Sequence, residues 1–156
     1  MQVLSKTSKW ITLMVPARLS SGEEALRLLL ASEVMQGLEV EPSLRDNFLS
    51  AVQEVLWNAI EHGGKMNPVQ LIRLDLVHSN RALSCFVKDP GPGFHMKEMT
   101  HAAINNPVDD AVKHSLIREE QGLRPGGYGI LLATNFADEL LYNEQCNEVL
   151  LVKYLR

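Results

Sequence analysis

The chain has 156 residues, 46% of them apolar and 22% charged, a balance that excludes intrinsic disorder and leaves enough length for one buried core. A net charge of −4 and a pI near 5.7, with no run of Lys and Arg, give no electrostatic reason to expect nucleic acid. Cys85 and Cys146 form neither a disulfide framework nor a metal spacing, and the five histidines form no pair at ligand spacing. No apolar run approaches the length of a membrane span, and the first nine residues lack the apolar core of a signal peptide. A cytoplasmic setting with no membrane partner is the expectation.

Trp10 to Val15 reads as a first strand closed by Pro16. Ser20 with Glu23, or Ser21 with Glu24, offers a capping box for a helix carrying Ala25, Leu28, Leu29, Ser32 and Met35, with Gly37 as its stop. Pro42-Ser43 opens a second helix that runs to Gly63-Gly64, where a C-terminal cap with positive φ is expected. Its apolar positions, among them Phe48, Val52, Val55, Leu56 and Ala59, recur at helical spacing.

Val69 to His78 alternates, with Ile72, Leu74 and Leu76 on one face and Arg73 and Asp75 on the other. Ser79-Asn80 is turn chemistry, and Ala82 to Lys88 completes a hairpin. Asp89 to Gly129 is loop-rich with one weak helical stretch, Tyr128 to Phe136 reads as an apolar helix, and Asp138 to Tyr142 with Glu148 to Leu155 form a last hairpin. The order β-α-α-β-β-loop-α-β-β predicts an α+β, two-layer α/β sandwich, with helices on one face of a mostly antiparallel mixed sheet. One domain over 1–156 is expected.

Three segments carry chemistry. Glu54 and Asn58 stand one helical turn apart and so project from one side of an otherwise apolar helix, with Glu61 further along the same stripe. Solvent-facing polarity accounts for them, and so does the floor of a metal-nucleotide pocket. Asp89-Pro-Gly-Pro-Gly-Phe94 ends a strand, so Asp89 is either a fixed carboxylate at the sheet edge, with Gly91 and Gly93 admitting a planar ligand, or part of an ordinary turn. Arg124-Pro-Gly-Gly-Tyr-Gly-Ile130 runs into a helix, whose first N–H groups form an anion site where glycines let phosphate oxygens approach; a plain connector has the same composition. Neither glycine segment matches the P-loop or Rossmann fingerprint.

Taken in order, Glu-x-x-x-Asn on a helix, Asp-x-Gly-x-Gly after a strand and a Gly-rich turn opening a helix resemble the GHKL (Bergerat-fold) ATP-binding superfamily, over about Trp10 to Tyr154. The compact length and the string Asn58-Ala-Ile-Glu-His-Gly63 look most like bacterial anti-sigma-factor serine/threonine kinases of the RsbW type.

The resemblance implies ATP and Mg²⁺ as cofactors and assigns roles residue by residue. Glu54 matches the general base and Asn58 the Mg²⁺ ligand. Asp89 matches the carboxylate that accepts from the adenine amino group, with Gly91 and Gly93 beside the ring. Gly126, Gly127 and Gly129 match the phosphate turn and Arg124 the basic residue before it, while residues 94–125 match the lid. Asn147-Glu148-Val149 departs from the Gly-Thr that often enters the family's last strand.

The activity implied is phosphorylation of a small anti-anti-sigma (STAS) protein by a kinase that also sequesters a sigma factor and dimerises with itself. A non-phosphorylating ATP-sensing module is the alternative from a different class. A stand-alone histidine-kinase-type ATPase domain is disfavoured by the few residues before Trp10, and a topoisomerase or chaperone ATPase by the end at Arg156.

Overall fold

The structure, a computed structural model, describes residues 1–93 and 129–155. Its framework is a six-stranded sheet in the order β1-β2-β3-β4-β6-β5, made of β1 (Gln2–Lys6), β2 (Trp10–Pro16), β3 (Leu71–His78), β4 (Ala82–Lys88), β5 (Glu139–Tyr142) and β6 (Glu148–Tyr154). Every described pair is antiparallel, so among the described residues the sheet is antiparallel throughout and not mixed. Helices α1 (Leu19–Ala31), α2 (Glu33–Gln36), α3 (Pro42–Asn58) and α4 (Gly129–Phe136) complete an α+β fold.

Alternation decides which face of the sheet is covered. Ile11, Leu13 and Val15 on β2, Ile72, Leu74 and Leu76 on β3, and Leu83, Cys85 and Val87 on β4 are all buried, and their registers align them across the strands. They pack with Leu29 of α1 and with Phe48, Val52 and Leu56 of α3 in one core. Each such side chain, moved out of water, contributes roughly 1.5–3 kcal/mol.

The sequence expectation missed β1, whose five residues are all exposed. With no buried face, it has no apolar alternation to betray it; the antiparallel ladder to β2, interrupted by a bulge at Val3/Ser5, holds it in place.

The helix boundaries depart from expectation in three places. Helix α1 begins at Leu19 with Arg18 as N-cap and no side-chain cap, so the capping box is absent. Ser21 is buried and accepts a 2.8 Å hydrogen bond from the Arg18 guanidinium. The helix also breaks at Ser32, whose hydroxyl donates to the Leu29 carbonyl at 2.6 Å and accepts from the Met35 N–H, starting α2. Third, the helical run reaches Gly63 with Gly64 as its C-cap, but α3 does not keep its α-helical form to that point. It widens into a π-helical turn, Ala59–Gly63, closed by hydrogen bonds from Gly64 N–H to the Ala59 carbonyl and from Met66 N–H to the Ile60 carbonyl. The positive φ angles fall on Lys65 and Met66 (51° and 54°), while Gly64 has φ −85°. Close packing explains the glycine at 64, because a Cβ there would overlap the Ala17 side chain.

On the face that no described helix covers, Asp75 is nonetheless buried. Its carboxylate accepts from Thr12 Oγ1 at 2.5 Å, from the Arg73 guanidinium at 2.7 and 3.2 Å, and from Trp10 Nε1 at 3.3 Å. Burial pushes the Asp75 pKa up, but hydrogen bonds from Arg73, Thr12 and Trp10 together outweigh it and hold the group below its ordinary value.

Candidate functional site

The end of α3, the ends of β4 and β6 and the turn between β5 and β6 surround one pocket. Its floor is apolar, from Val55, Val87 and Val149, and its polar groups include Asn58, His62 and Asp89. Tyr142 closes one side, where burial drives its phenol well above the ordinary range. The space between these walls is about 30 Å³, room enough for a water.

Helix α3 brings Asn58 to this pocket because Val55 and Leu56 are tied into the core. Glu54, one turn earlier, is half-buried and does not line the pocket. Beyond Asn58 the π-helical turn carries His62 and Gly63 into the wall; such turns recur where a helix must re-aim side chains at a site. His62 Nε2 stands 3.9 Å from the Glu61 carboxylate, whose side chain is 7% exposed. Trp57 points away into the core against Gly22 of α1.

Asp89 follows the last residue of β4, and its N–H extends the ladder by donating to the Asn147 carbonyl at 3.0 Å. Its Oδ1 accepts from Gly91 N–H at 2.8 Å, a local turn in which the side chain ties down the backbone two residues on. Burial pushes the carboxyl up to about 6, against the pull of that N–H. Two glycines give this carboxylate its place: a Cβ on Gly63 would overlap the Asp89 side chain, and one on Gly91 would lie 2.8 Å from the Gly63 carbonyl oxygen. Gly93 has φ +83°, and a Cβ there would overlap the Gln145 backbone.

Asn143 organises the β5–β6 turn. Its Oδ1 accepts from the N–H groups of Asn147 and Glu148, both at 3.0 Å, and its Nδ2 donates to Asn147 Oδ1 at 2.7 Å. Asn147 Nδ2 in turn donates to the Gly91 carbonyl at 3.1 Å, so the two turns that face the pocket are joined directly.

Of the residues singled out in the sequence, Asn58, Asp89 and Gly93 line one pocket, Gly91 braces it, and Gly129 is the first residue of α4. Arg124, Gly126, Gly127 and the lid at 94–125 lie outside the described residues. His62, Tyr142 and Cys146 were not anticipated in the wall. They reach it through the π-helical turn and the β4–β6 pairing, neither of which leaves a local pattern in the chain.

A buried carboxylate over an apolar floor can accept from the amino group of a flat heterocycle, and a carboxamide oxygen such as that of Asn58 suits a hard cation. Among the described residues no group of three or more His, Cys, Asp or Glu could hold a metal. No described helix is long and apolar enough to cross a membrane.

The histidine kinase-like ATPase domain family matches residues 15–153. No curated relative matches the sequence. The matched span takes in α3, the Asp89 turn, α4 and nearly all of the last hairpin, and the chain belongs to the histidine kinase-like ATPase domain family.

Proposed function

We propose that the chain is an ATP- and Mg²⁺-dependent protein serine/threonine kinase acting as an anti-sigma factor, which binds a sigma factor and phosphorylates a small anti-anti-sigma (STAS) protein. The observation that carries the nucleotide part is the Asp89 carboxylate, buried at the end of β4 over Val55, Val87 and Val149 with Asn58 in the same pocket. In this reading Asp89 accepts from the adenine amino group, and Gly91 and Gly93 let the ring lie close to the backbone. Asn58 would hold Mg²⁺, which would neutralise phosphate charge, while Gly126, Gly127 and the start of α4 at Gly129 would hold the phosphates with Arg124. Glu54 takes the proton from the acceptor hydroxyl. Phosphoryl transfer is mainly positioning and charge neutralisation, so these parts suffice. Family membership supports ATP use; the partners and a homodimer rest on the likeness of the Asn58 to Gly63 string to anti-sigma-factor kinases.

A non-phosphorylating ATP-sensing module is the second reading, favoured by the position of Glu54 outside the pocket lining. Incubating the protein with γ-labelled ATP, Mg²⁺ and candidate antagonists, beside Glu54→Gln, separates the two. Label on an antagonist with the wild type alone supports the kinase. Tight ATP binding with no transfer to any antagonist rejects it in favour of the sensing module.

A further inference from the structure

We infer that Asn147 is the second reader of the purine, its Nδ2 donating to adenine N1 while Asp89 accepts from the adenine amino group. This rests on the nucleotide reading of the pocket and extends it to the choice of base.

The orientation of the Asn147 carboxamide is set by its neighbours. Asn143 Oδ1 accepts from two backbone N–H groups, so the other end of that side chain must be the donor, and it meets Asn147 Oδ1 at 2.7 Å. Asn147 therefore turns its Nδ2 toward the Asp89 turn, where it donates to the Gly91 carbonyl at 3.1 Å. An amide nitrogen carries two hydrogens. One goes to Gly91, and the second has no partner among the described residues, in a side chain that lines the pocket.

Placement follows from the sheet. Lys88 pairs with Glu148 in the β4–β6 ladder, and the hydrogen bond from Asp89 N–H to the Asn147 carbonyl continues it by one residue. Opposed residues of an antiparallel pair present their side chains on the same face, roughly 5 Å apart at Cα. An acceptor and a donor thus stand side by side at one end of an apolar slot. Adenine offers the complementary order, an amino donor next to the N1 acceptor. Guanine offers the reverse, a carbonyl acceptor next to an N1–H donor, which would set like groups against each other. Sites built on such hydrogen bonds reject mismatched ligands because buried polar groups are left unpaired. The Asn143–Asn147 clamp holds the donor in place before any ligand arrives, which lowers the ordering cost of binding.

The test is calorimetric titration of wild type and Asn147→Ala with ATP, GTP and 1-deaza-ATP, in which adenine N1 is replaced by C–H; a thermal melt checks that the variant is folded. Expected are tighter binding of ATP than of 1-deaza-ATP by the wild type, a loss of about 3–10-fold in ATP affinity in Asn147→Ala, a smaller loss for 1-deaza-ATP because only the link to Gly91 is removed there, and a smaller preference for ATP over GTP. The comparison of ATP with 1-deaza-ATP needs only the wild type, so it stands even if the variant does not fold. Equal loss on ATP and 1-deaza-ATP, or equal wild-type affinity for the two, overturns the inference and leaves the nucleotide site intact. A wild type that binds no adenine nucleotide overturns both.

Discussion

Gly63 and Asp89 compete for one volume: a single methyl group on Gly63 would occupy the place of the Asp89 carboxyl. The carboxylate sits where it does because the helix end presents backbone alone. Gly63→Ala is therefore expected to displace Asp89, to weaken ATP binding at least tenfold and to destabilise the fold by about 1–3 kcal/mol. Nucleotide titration beside urea unfolding checks both, and unchanged affinity would remove Asp89 from the purine site.

Asp89 also sets a pH dependence. Its carboxyl is raised from the ordinary 3.8 to about 6 by burial, so between those values the folded chain holds a proton that the unfolded chain has released. Its contribution thus favours the folded state most below pH 4 and is lost as pH rises through 6. Nucleotide affinity runs the other way, because the ionised group is the better acceptor; it should fall as pH drops below 6. Asp89→Asn should bind ATP more weakly at neutral pH and lack this part of the pH profile. The ratio of wild-type to variant affinity cancels the titration of the nucleotide itself.

The Asp75 network predicts a stability effect remote from the pocket. Asp75→Asn keeps the shape but removes the anion that Arg73, Thr12 and Trp10 donate to, with an expected loss of about 1–3 kcal/mol. The wild-type contribution is fully present above pH 3.8 and is lost as pH falls through the depressed value of this carboxyl. Urea midpoints of the two proteins should differ most at pH 7 and draw together as the pH is lowered below 3.8; ATP affinity at pH 7 should not change.

Gly22→Ala sets two effects against each other. Alanine favours a helix over glycine by up to about 1 kcal/mol, but its Cβ would lie 2.6 Å from the Trp57 ring and 2.9 Å from Ile60 Cδ1. Overpacking of a close-packed core costs about 1–3 kcal/mol, so the melting temperature should fall and Trp57 fluorescence should shift. A rise in melting temperature would mean that α1 can slide away from α3.

The strands and long helices were legible because burial imposes a period. Ile72, Leu74 and Leu76 announce β3, and Val52, Val55, Leu56 and Ala59 announce α3, by positions that tertiary structure then covers. Strand β1 was invisible because it buries nothing. At Gly63 and Gly64 the residue type was noticed and the reason misread: room for Asp89 and Ala17, rather than positive φ, excludes side chains there. Asp89 and Asn58 stood out in the chain, one as a carboxylate closing a strand and the other as a carboxamide on an apolar helix. Asn147 appeared only as a departure from a pattern, since its link to Gly91 spans 56 residues and exists only once β4 and β6 are paired.

The turn at Ala59–Gly63 amounts to a surplus residue threaded into a helix. Excising one residue from it should let ordinary i to i+4 bonding continue, giving a more regular helix. The same excision would rotate Gly63 away from Asp89 and close the notch in which the carboxylate rests. At this one bend the chain gives up a regular helix for aim.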